Sequence, residues 1–430
     1  MKNFRWWPAI GLVAAVVALA GCGGSDDESS SNASLRVANA TLTHPSLDLF
    51  INGTSALKAT AIDTVSVNAT PGSGSVTLQV NDAGVTTALA TTVPTLTGGN
   101  HYTLLAYESG GAVRTAILNE DFAAPTSGSA QIRVYNAALD AGRLDVYITA
   151  PTVDLATVST PTATFAAATA NSATALLTYS PGTYRVRVTA AGNKADLRAD
   201  IASVVVASQQ GATVVLTPAV GGALINGSTV IQQGAYAAAR NTNARVRLAA
   251  AVSGSAIVAA SASNGAVIDA GSASPAFGFG YVLVPASSTL NVTVNGSSVA
   301  APAASLIAGA DATLLVYGEP GSATSTLLAD DNRLPSDPTT TKLRLINGVT
   351  GGTGTLTLTA NTAPVGTGIA PGTASGYVSV IGSTNAMILK LSSSTSGIAY
   401  LPDSSNVLSP NAVYTILAGG PIAAPVLLVR

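Results

Sequence analysis

The residues able to do chemistry in this chain are few. His44 and His101 are its only histidines, and Ser46 and Asp48 stand close to the first. A hydrolase triad needs a serine, a histidine and an acid brought together in space. No Gly-x-Ser-x-Gly elbow between strand and helix accompanies them, so the residues argue against nucleophilic hydrolysis. Two histidines are also too few for a zinc site, which takes three or four protein ligands. Asn119-Glu120-Asp121 and Asp330-Asp331-Asn332 recur at matching places. Clustered carboxylates and amides bind calcium through oxygen, which makes Glu120, Asp121, Asp330 and Asp331 the candidate metal ligands. They are thin for a cation that takes about six to eight oxygens. No EF-hand spacing or nonapeptide repeat supports them. The reading is a chain with no catalytic residues, no metal and no cofactor. Ser109-Gly110-Gly111 and Gly351-Gly352-Thr353-Gly354 read as hairpin turns rather than phosphate cradles, because no helix follows a strand there.

Cys22, the only cysteine, offers a different chemistry. Lys2 and Arg5 open the chain, an apolar run covers Ala9 to Ala20, and Leu19-Ala20-Gly21-Cys22 closes it. The run is shorter than the roughly 20 apolar residues a membrane span needs and fits the core of an export signal. The tetrapeptide resembles the bacterial lipoprotein box, which implies lipidation of Cys22 after removal of residues 1–21. Several acyl chains, at about 0.8 kcal/mol per buried methylene, would then hold the protein on a membrane. Residues 22–33 have almost no apolar content and read as a flexible tether. By resemblance to lipoprotein sorting, Gly23 after the cysteine implies the outer membrane.

Composition bounds the rest. Charged residues make up 9% and hydrophobic residues 47%, with a net charge of −2 that becomes −4 once Lys2 and Arg5 are removed. That excludes charge-driven disorder, and the absence of a basic stripe argues against a nucleic-acid partner. Both tryptophans, Trp6 and Trp7, lie in the leader.

The elements that must position these residues come from a repeat. Leu35-Arg36-Val37-Ala38-Asn39-Ala40 returns as Ile132-Arg133-Val134-Tyr135-Asn136-Ala137, as Val246-Arg247-Leu248-Ala249-Ala250-Ala251, and as Leu343-Arg344-Leu345-Ile346-Asn347-Gly348. The arginines stand 97, 114 and 97 residues apart. Such spacing means tandem domains rather than a solenoid. Apolar residues alternate within each phrase, which predicts a strand with one buried face. A second strand follows at Leu47–Ile51, Leu144–Ile148, Ile257–Val258 and Leu356–Leu358. Closing strands follow at Tyr102–Tyr107, Ala212–Leu216, Thr313–Tyr317 and Tyr414–Ala418. No stretch has a sustained helical period; Ala166–Ala170 reads as a turn of helix or an irregular loop. Many short strands with turn signals predict β-sandwiches. The expected units span 34–124, 129–222, 243–334 and 341–430. The long linker between Gly221 and Asn243 accounts for the wider second spacing. Arg36 with Asp48, and Arg133 with Asp145, are expected to face each other on an exposed face. Such a surface pair contributes at most about 1 kcal/mol and serves solubility and register.

A strand of the form apolar-Arg-Val-x-Asn-Ala, then Leu-Asp-Val-Tyr-apolar, resembles the bacterial domain of unknown function family 4397. The likeness runs over Leu35–Gly53 and more closely over Ile132–Ile148. It implies secreted or surface-attached tandem immunoglobulin-like sandwiches and brings no catalytic residues. Units three and four depart from it, with Thr357 standing where Asp48 and Asp145 stand. Together these readings predict an all-β, lipid-anchored cell-envelope protein that is not an enzyme. Its tandem sandwiches would serve as a scaffold or as a binding and adhesion module. The implied partners are the membrane and an envelope or extracellular protein or glycan. A surface hydrolase on one divergent unit and a calcium-stiffened adhesin are the alternatives.

Overall fold

The computed structural model describes residues 32–166, 170–352, 354–394, 399–400 and 405–430. Cys22, the leader expected from the sequence and all but the end of the expected tether fall outside these residues, as does the middle of Ala166–Ala170. The fold is all-β; among the described residues the only helical segments are three single 3-10 turns.

Four two-sheet units repeat one plan. In the first, an opening strand Ser34–Ala40 runs parallel to a closing strand, His101–Ser109, and a return strand, Ala112–Asn119, folds back antiparallel on the latter. The facing sheet holds Thr54–Ala61, Ser46–Ile51, Leu78–Asp82 and Ala88–Thr92 in that order. The second unit opens with Ala130–Asn136 and closes with Gly211–Pro218; the third uses Asn243–Val252 and Asp311–Gly318, and the fourth Thr340–Asn347 and Ala412–Gly419. The second strand and the hairpin after it follow from local chemistry. Asn52 and Gly53 both take positive φ between Ser46–Ile51 and Thr54–Ala61. That is the two-residue turn whose twist matches a hairpin, and Asn295-Gly296 repeats it in the third unit.

Each unit has its own core. Leu35, Val37, Leu47, Leu49, Leu78 and Leu104 fill the first. Ile132, Val134, Val146, Val188 and Val214 serve the second. Separate clusters around Leu248 and Leu345 fill the third and fourth. Full burial of one such side chain contributes about 1.5–3 kcal/mol.

Two expectations are corrected. The stretch 221–243 is not a bare linker, because Ile225–Ile231 is the return strand of the second unit and Tyr236–Ala239 adds one more strand to the same sheet. Nor does it account for the wider spacing. Arg133 stands 80 residues before its cross-strand threonine, against 67, 66 and 71 in the other units. Most of the extra length therefore lies before the closing strand, where Gly182–Ala190 and the 14-residue Asn193–Val206 form a long hairpin. The extra strand has a topological effect. In the first and third units the return strand brings the exit back beside the entry, pairing Tyr102 with Asn119 and Asp311 with Asp330. Tyr236–Ala239 reverses the chain once more and carries it to the opposite end.

Candidate functional site

The opening strands of the first, third and fourth units are buried on both faces rather than one, while that of the second alternates buried with half-buried residues. Leu35 and Val37 point into the first core, as alternation requires, but Arg36 on the other face is only 8% exposed and Arg344 only 2%. The covering surface is the neighbouring unit. Ala38, Ala40, Leu105, Tyr107 and Leu118 of the first unit pack on Ala137, Val215 and Val230 of the second. Ala249, Ala251 and Leu315 of the third pack on Ile346 and Leu417 of the fourth. The units are thus joined as two pairs, and the repeated arginine lies in the seam of each.

One motif recurs four times. The arginine Nε donates to the threonine hydroxyl directly across on the closing strand: Arg36 to Thr103 at 2.9 Å, Arg133 to Thr213 at 2.9 Å, Arg247 to Thr313 at 2.9 Å and Arg344 to Thr415 at 3.2 Å. That leaves the guanidinium nitrogens aimed out of the unit. In the third and fourth units they cross reciprocally. Arg247 donates to Thr415 at 2.7 Å and Arg344 donates to Thr313 at 3.1 Å. Asp330 sits between them, paired with Arg344, 3.6 Å from Arg247 Nε, and accepting from Thr313 at 2.7 Å and from the Tyr281 hydroxyl. Tyr281 and Phe277 cover Arg247, and Tyr377 covers Arg344, at 4.8–5.1 Å from guanidinium carbon to ring centre. A delocalised guanidinium suits this combination of planar hydrogen bonding and ring stacking. Burial, reinforced by Asp330, raises the Tyr281 phenol well above its ordinary pKa.

The seam between the first two units is a less symmetric version. Arg36 pairs with Glu120 at 2.7 Å and reaches Ile231 O at 3.2 Å and the carbonyl of Gly234 in the second unit. Gln233 N donates to Glu120 at 2.5 Å. Arg133, half-buried, donates to Asn119 O at 3.1 Å and lies 4.0 Å from the centre of the Phe122 ring. A third charged network joins the pairs. Arg245 grips Asp311 with two nitrogens, at 2.8 and 2.6 Å, and reaches Asp196 at 2.9 Å. Asp196 in turn binds Arg198 at 2.7 Å. Burial pulls Arg245 down, but the hydrogen bonds and charge of Asp311 more than offset it, leaving the guanidinium above its usual range. Burial, with Arg245 alongside, pulls Arg198 below it.

The expected pairing of Arg36 with Asp48 and of Arg133 with Asp145 does not form. Asp48 and Asp145 are buried in the facing sheets, on the other side of the cores. Asp48 accepts from the amides of Ala59 at 2.8 Å and Gly84 at 3.0 Å. Asp145 accepts from Thr164 at 2.6 Å and Gly192 N at 2.8 Å. Thr357, their counterpart in the fourth unit, accepts from Gly368 N at 3.3 Å. These side chains pin hairpins and do not face the arginines. The candidate metal ligands are likewise engaged by cations or donors. Glu120 and Asp330 hold the seam arginines, and Asp121 meets His101 Nδ1 at 3.0 Å. Asp331 binds Arg333 and Lys342, each at 2.8 Å. Among the described residues no group of three or more His, Cys, Asp or Glu is placed to hold a metal. His44 Nδ1 lies 2.7 Å from Asp82 and its Nε2 lies 4.0 Å from Glu108. Those two carboxylates, not Ser46, face the His44 ring. Glu108 and His101 stand seven residues apart on the same strand, so the two histidines are on the order of 20 Å apart.

Sequence reading missed the four threonines, the aromatic covers and the small residues that allow the seams to close. Gly348 is one: a Cβ there would lie 2.4 Å from that of Ala251 in the partner unit. The signal was present, since a threonine stands in every closing strand opposite the repeated arginine.

Residues 33–147 match the family model described as Domain of unknown function (DUF4397). This segment is similar to the DUF4397 domain. The DUF4397 match takes in the whole first sandwich and ends in the second strand of the second, so it includes both opening arginines of that seam. It does not extend over the third and fourth units. No curated protein matches the chain. Among solved structures, the Bacillus anthracis TIE protein is similar at 10% identity over 94% of this chain and 76% of that one. Its TM-score is 0.14, too low to support any argument.

Proposed function

We propose that the chain is a non-enzymatic envelope lipoprotein, anchored through a lipidated Cys22. Its four sandwiches would form a stiff scaffold that presents loops to an envelope or extracellular protein or glycan. The observation that carries this reading is where the polar chemistry lies. Arg36, Arg247 and Arg344, with Glu120 and Asp330, are consumed in holding sandwich to sandwich. A hydrolytic site on the first unit would have to work with two separated histidines, each beside its own carboxylate. A calcium-stiffened junction would have to take Glu120 and Asp330 away from buried guanidiniums, at the cost of leaving those cations unpaired. Rigid sandwiches with variable loops are a common platform for recognition.

Metabolic labelling with a fatty-acid analogue tests the anchor. Label should enter the wild-type protein and be lost in Cys22→Ser, with the protein released from membranes. Retention of Cys22→Ser in the membrane fraction would refute a lipid anchor. Small-angle scattering on soluble Cys22→Ser tests the stiffness. One compact distance distribution is expected, and a profile of four freely jointed beads would refute the scaffold. Pull-down from envelope extracts with the same protein tests the display role, which fails if no envelope protein or glycan is retained.

A further inference from the structure

Asp140 is a buried carboxylate that none of the contacts above uses. It lies in the single turn Leu139–Ala141 of the second unit. Both of its carboxylate oxygens are shut off from solvent and have no hydrogen-bond partner. Its backbone carbonyl accepts from Leu334 N at 3.0 Å, and Leu334 also packs beside Gly142. This is where the connector between the third and fourth units, residues 331–338, seats on the second. A cleft of about 730 Å³ opens beside the contact, lined by Arg114, Asp140, Arg333 and Lys342 among others. The four units therefore converge around one unsatisfied acid.

An orphaned buried polar group costs about 1–3 kcal/mol, and more when charged. Asp140 is less costly as a neutral acid, and the connector that seats on its backbone carbonyl brings Asp331 and Arg333 beside it. The charged groups around it divide. From the connector and the strand after it come Arg333 and Lys342, which favour the carboxylate, and Asp331, which opposes it. Lys342 is already committed to Asp331 and to two carbonyls, at 2.8–3.0 Å. Arg333 is held by Asp331 at 2.8 and 3.1 Å. From the first unit come Tyr107, a neutral phenol itself raised by burial, and Arg114 across the cleft. Arg143 follows on the same segment and is exposed. Burial outweighs the cations and raises the Asp140 carboxyl above its usual range.

We propose that Asp140 is a proton-controlled latch between the two sandwich pairs. With the acid neutral, the 331–338 connector seats on the second unit and fixes one pair against the other. With the acid ionised, the connector lifts and the pairs loosen. The sign follows from linkage. The seated state holds the proton more tightly, so the latch is fully closed below about pH 4, the value for a free aspartic acid, and opens as pH rises through the raised value.

The test uses the chain from residue 22 onward, with Cys22→Ser, and a spin-label pair at Thr91→Cys and Thr384→Cys on the first and fourth units. Distance distributions are recorded from pH 4 to pH 8. The seated population of the wild-type background should fall as pH rises, by up to tenfold per pH unit, the slope of one proton. Asp140→Asn should stay seated throughout. Arg333→Gln should move the midpoint to higher pH, because it removes the cation that most favours the carboxylate. Asp140→Asn following the wild-type pH profile would overturn the proposal. So would an Asp140→Asn protein open at every pH, which would make Asp140 an ionised anchor for Arg333. An Arg333→Gln midpoint that stays put or falls would count against it as well.

Discussion

Arg344→Ala is the sharpest test of the seams. Arg344 donates to Thr415, to Ala329 O at 2.7 Å, to Thr313 and to Asp330, and stacks on Tyr377. Removing it strands Asp330, which is 4% exposed. Breaking a buried pair from one side costs about 3–5 kcal/mol. Arg247 is 3.6 Å from the same carboxylate and can recover part of that by closing in, so the lower end is expected. For a cooperative body the size of the 243–430 pair, each kcal/mol moves Tm by about 2–4 °C. The chain holds several cooperative bodies, so a single global melt is a poor readout. Amide hydrogen exchange resolved by segment is better. Thr340–Asn347 and Asp311–Gly318 should lose protection by about a hundredfold or more, while Leu47 and Leu144 and their strands keep theirs. The double variant Arg344→Met, Asp330→Leu should not recover the loss, because it also takes the carboxylate from buried Arg247 and leaves that cation unpaired. A loss in Arg344→Ala below about 1 kcal/mol, the range of surface pairs, would refute the seam. So would protection lost evenly across all four units.

Other outcomes follow from the same contacts. Gly372→Ala should weaken the same seam, because φ there is +76° and the new Cβ would lie 2.2 Å from the Tyr317 ring of the third unit; segment-resolved exchange reads it. Asp48→Ala removes the acceptor of two amides and should cost about 1.5–3 kcal/mol, the range for bonds to a charged group. The loss should appear as faster exchange at Ala59 and Gly84, with the arginine seams unaffected. Burial acts to raise Asp331, but hydrogen bonds from Arg333 and Lys342 bring its pKa below the usual value. Its stabilisation is present above about pH 4 and lost as pH falls through the lowered value. Asp331→Asn should therefore flatten the acid limb of a pH-stability curve, the opposite limb from Asp140→Asn. Processed protein excited at 295 nm should show no tryptophan emission, since Trp6 and Trp7 would leave with the leader.

The sheets were legible because alternation reports directly on pleat. Leu35 and Val37 were expected on one side of a strand and Arg36 and Ala38 on the other, and they are. What alternation does not report is whether the second side faces water or protein. Arg36 reads as a solvent-facing residue in a single strand, and Asp48 reads as its mate because both recur in step. Only the strand pairing reveals that Thr103, 67 residues away, is the direct neighbour and that Asp48 belongs to the other sheet. A stronger hint lay in composition. With 9% charged residues, an arginine kept at the same place in four units has few solvation duties to perform. Ile225–Ile231 reads as linker because Asn226, Gly227 and Ser228 interrupt its apolar pattern. Its strand character is imposed by the closing strand it covers, whose eight residues are all buried.

The doubling-back of the first and third units has a mechanical corollary. Where a segment begins and finishes at adjacent points, tension applied to its ends peels its last strand away one bond at a time instead of loading all bonds at once. Such modules yield early under a pull and add little reach per residue. In this chain the strands exposed to such peeling are Ala112–Asn119 and Thr324–Asp330.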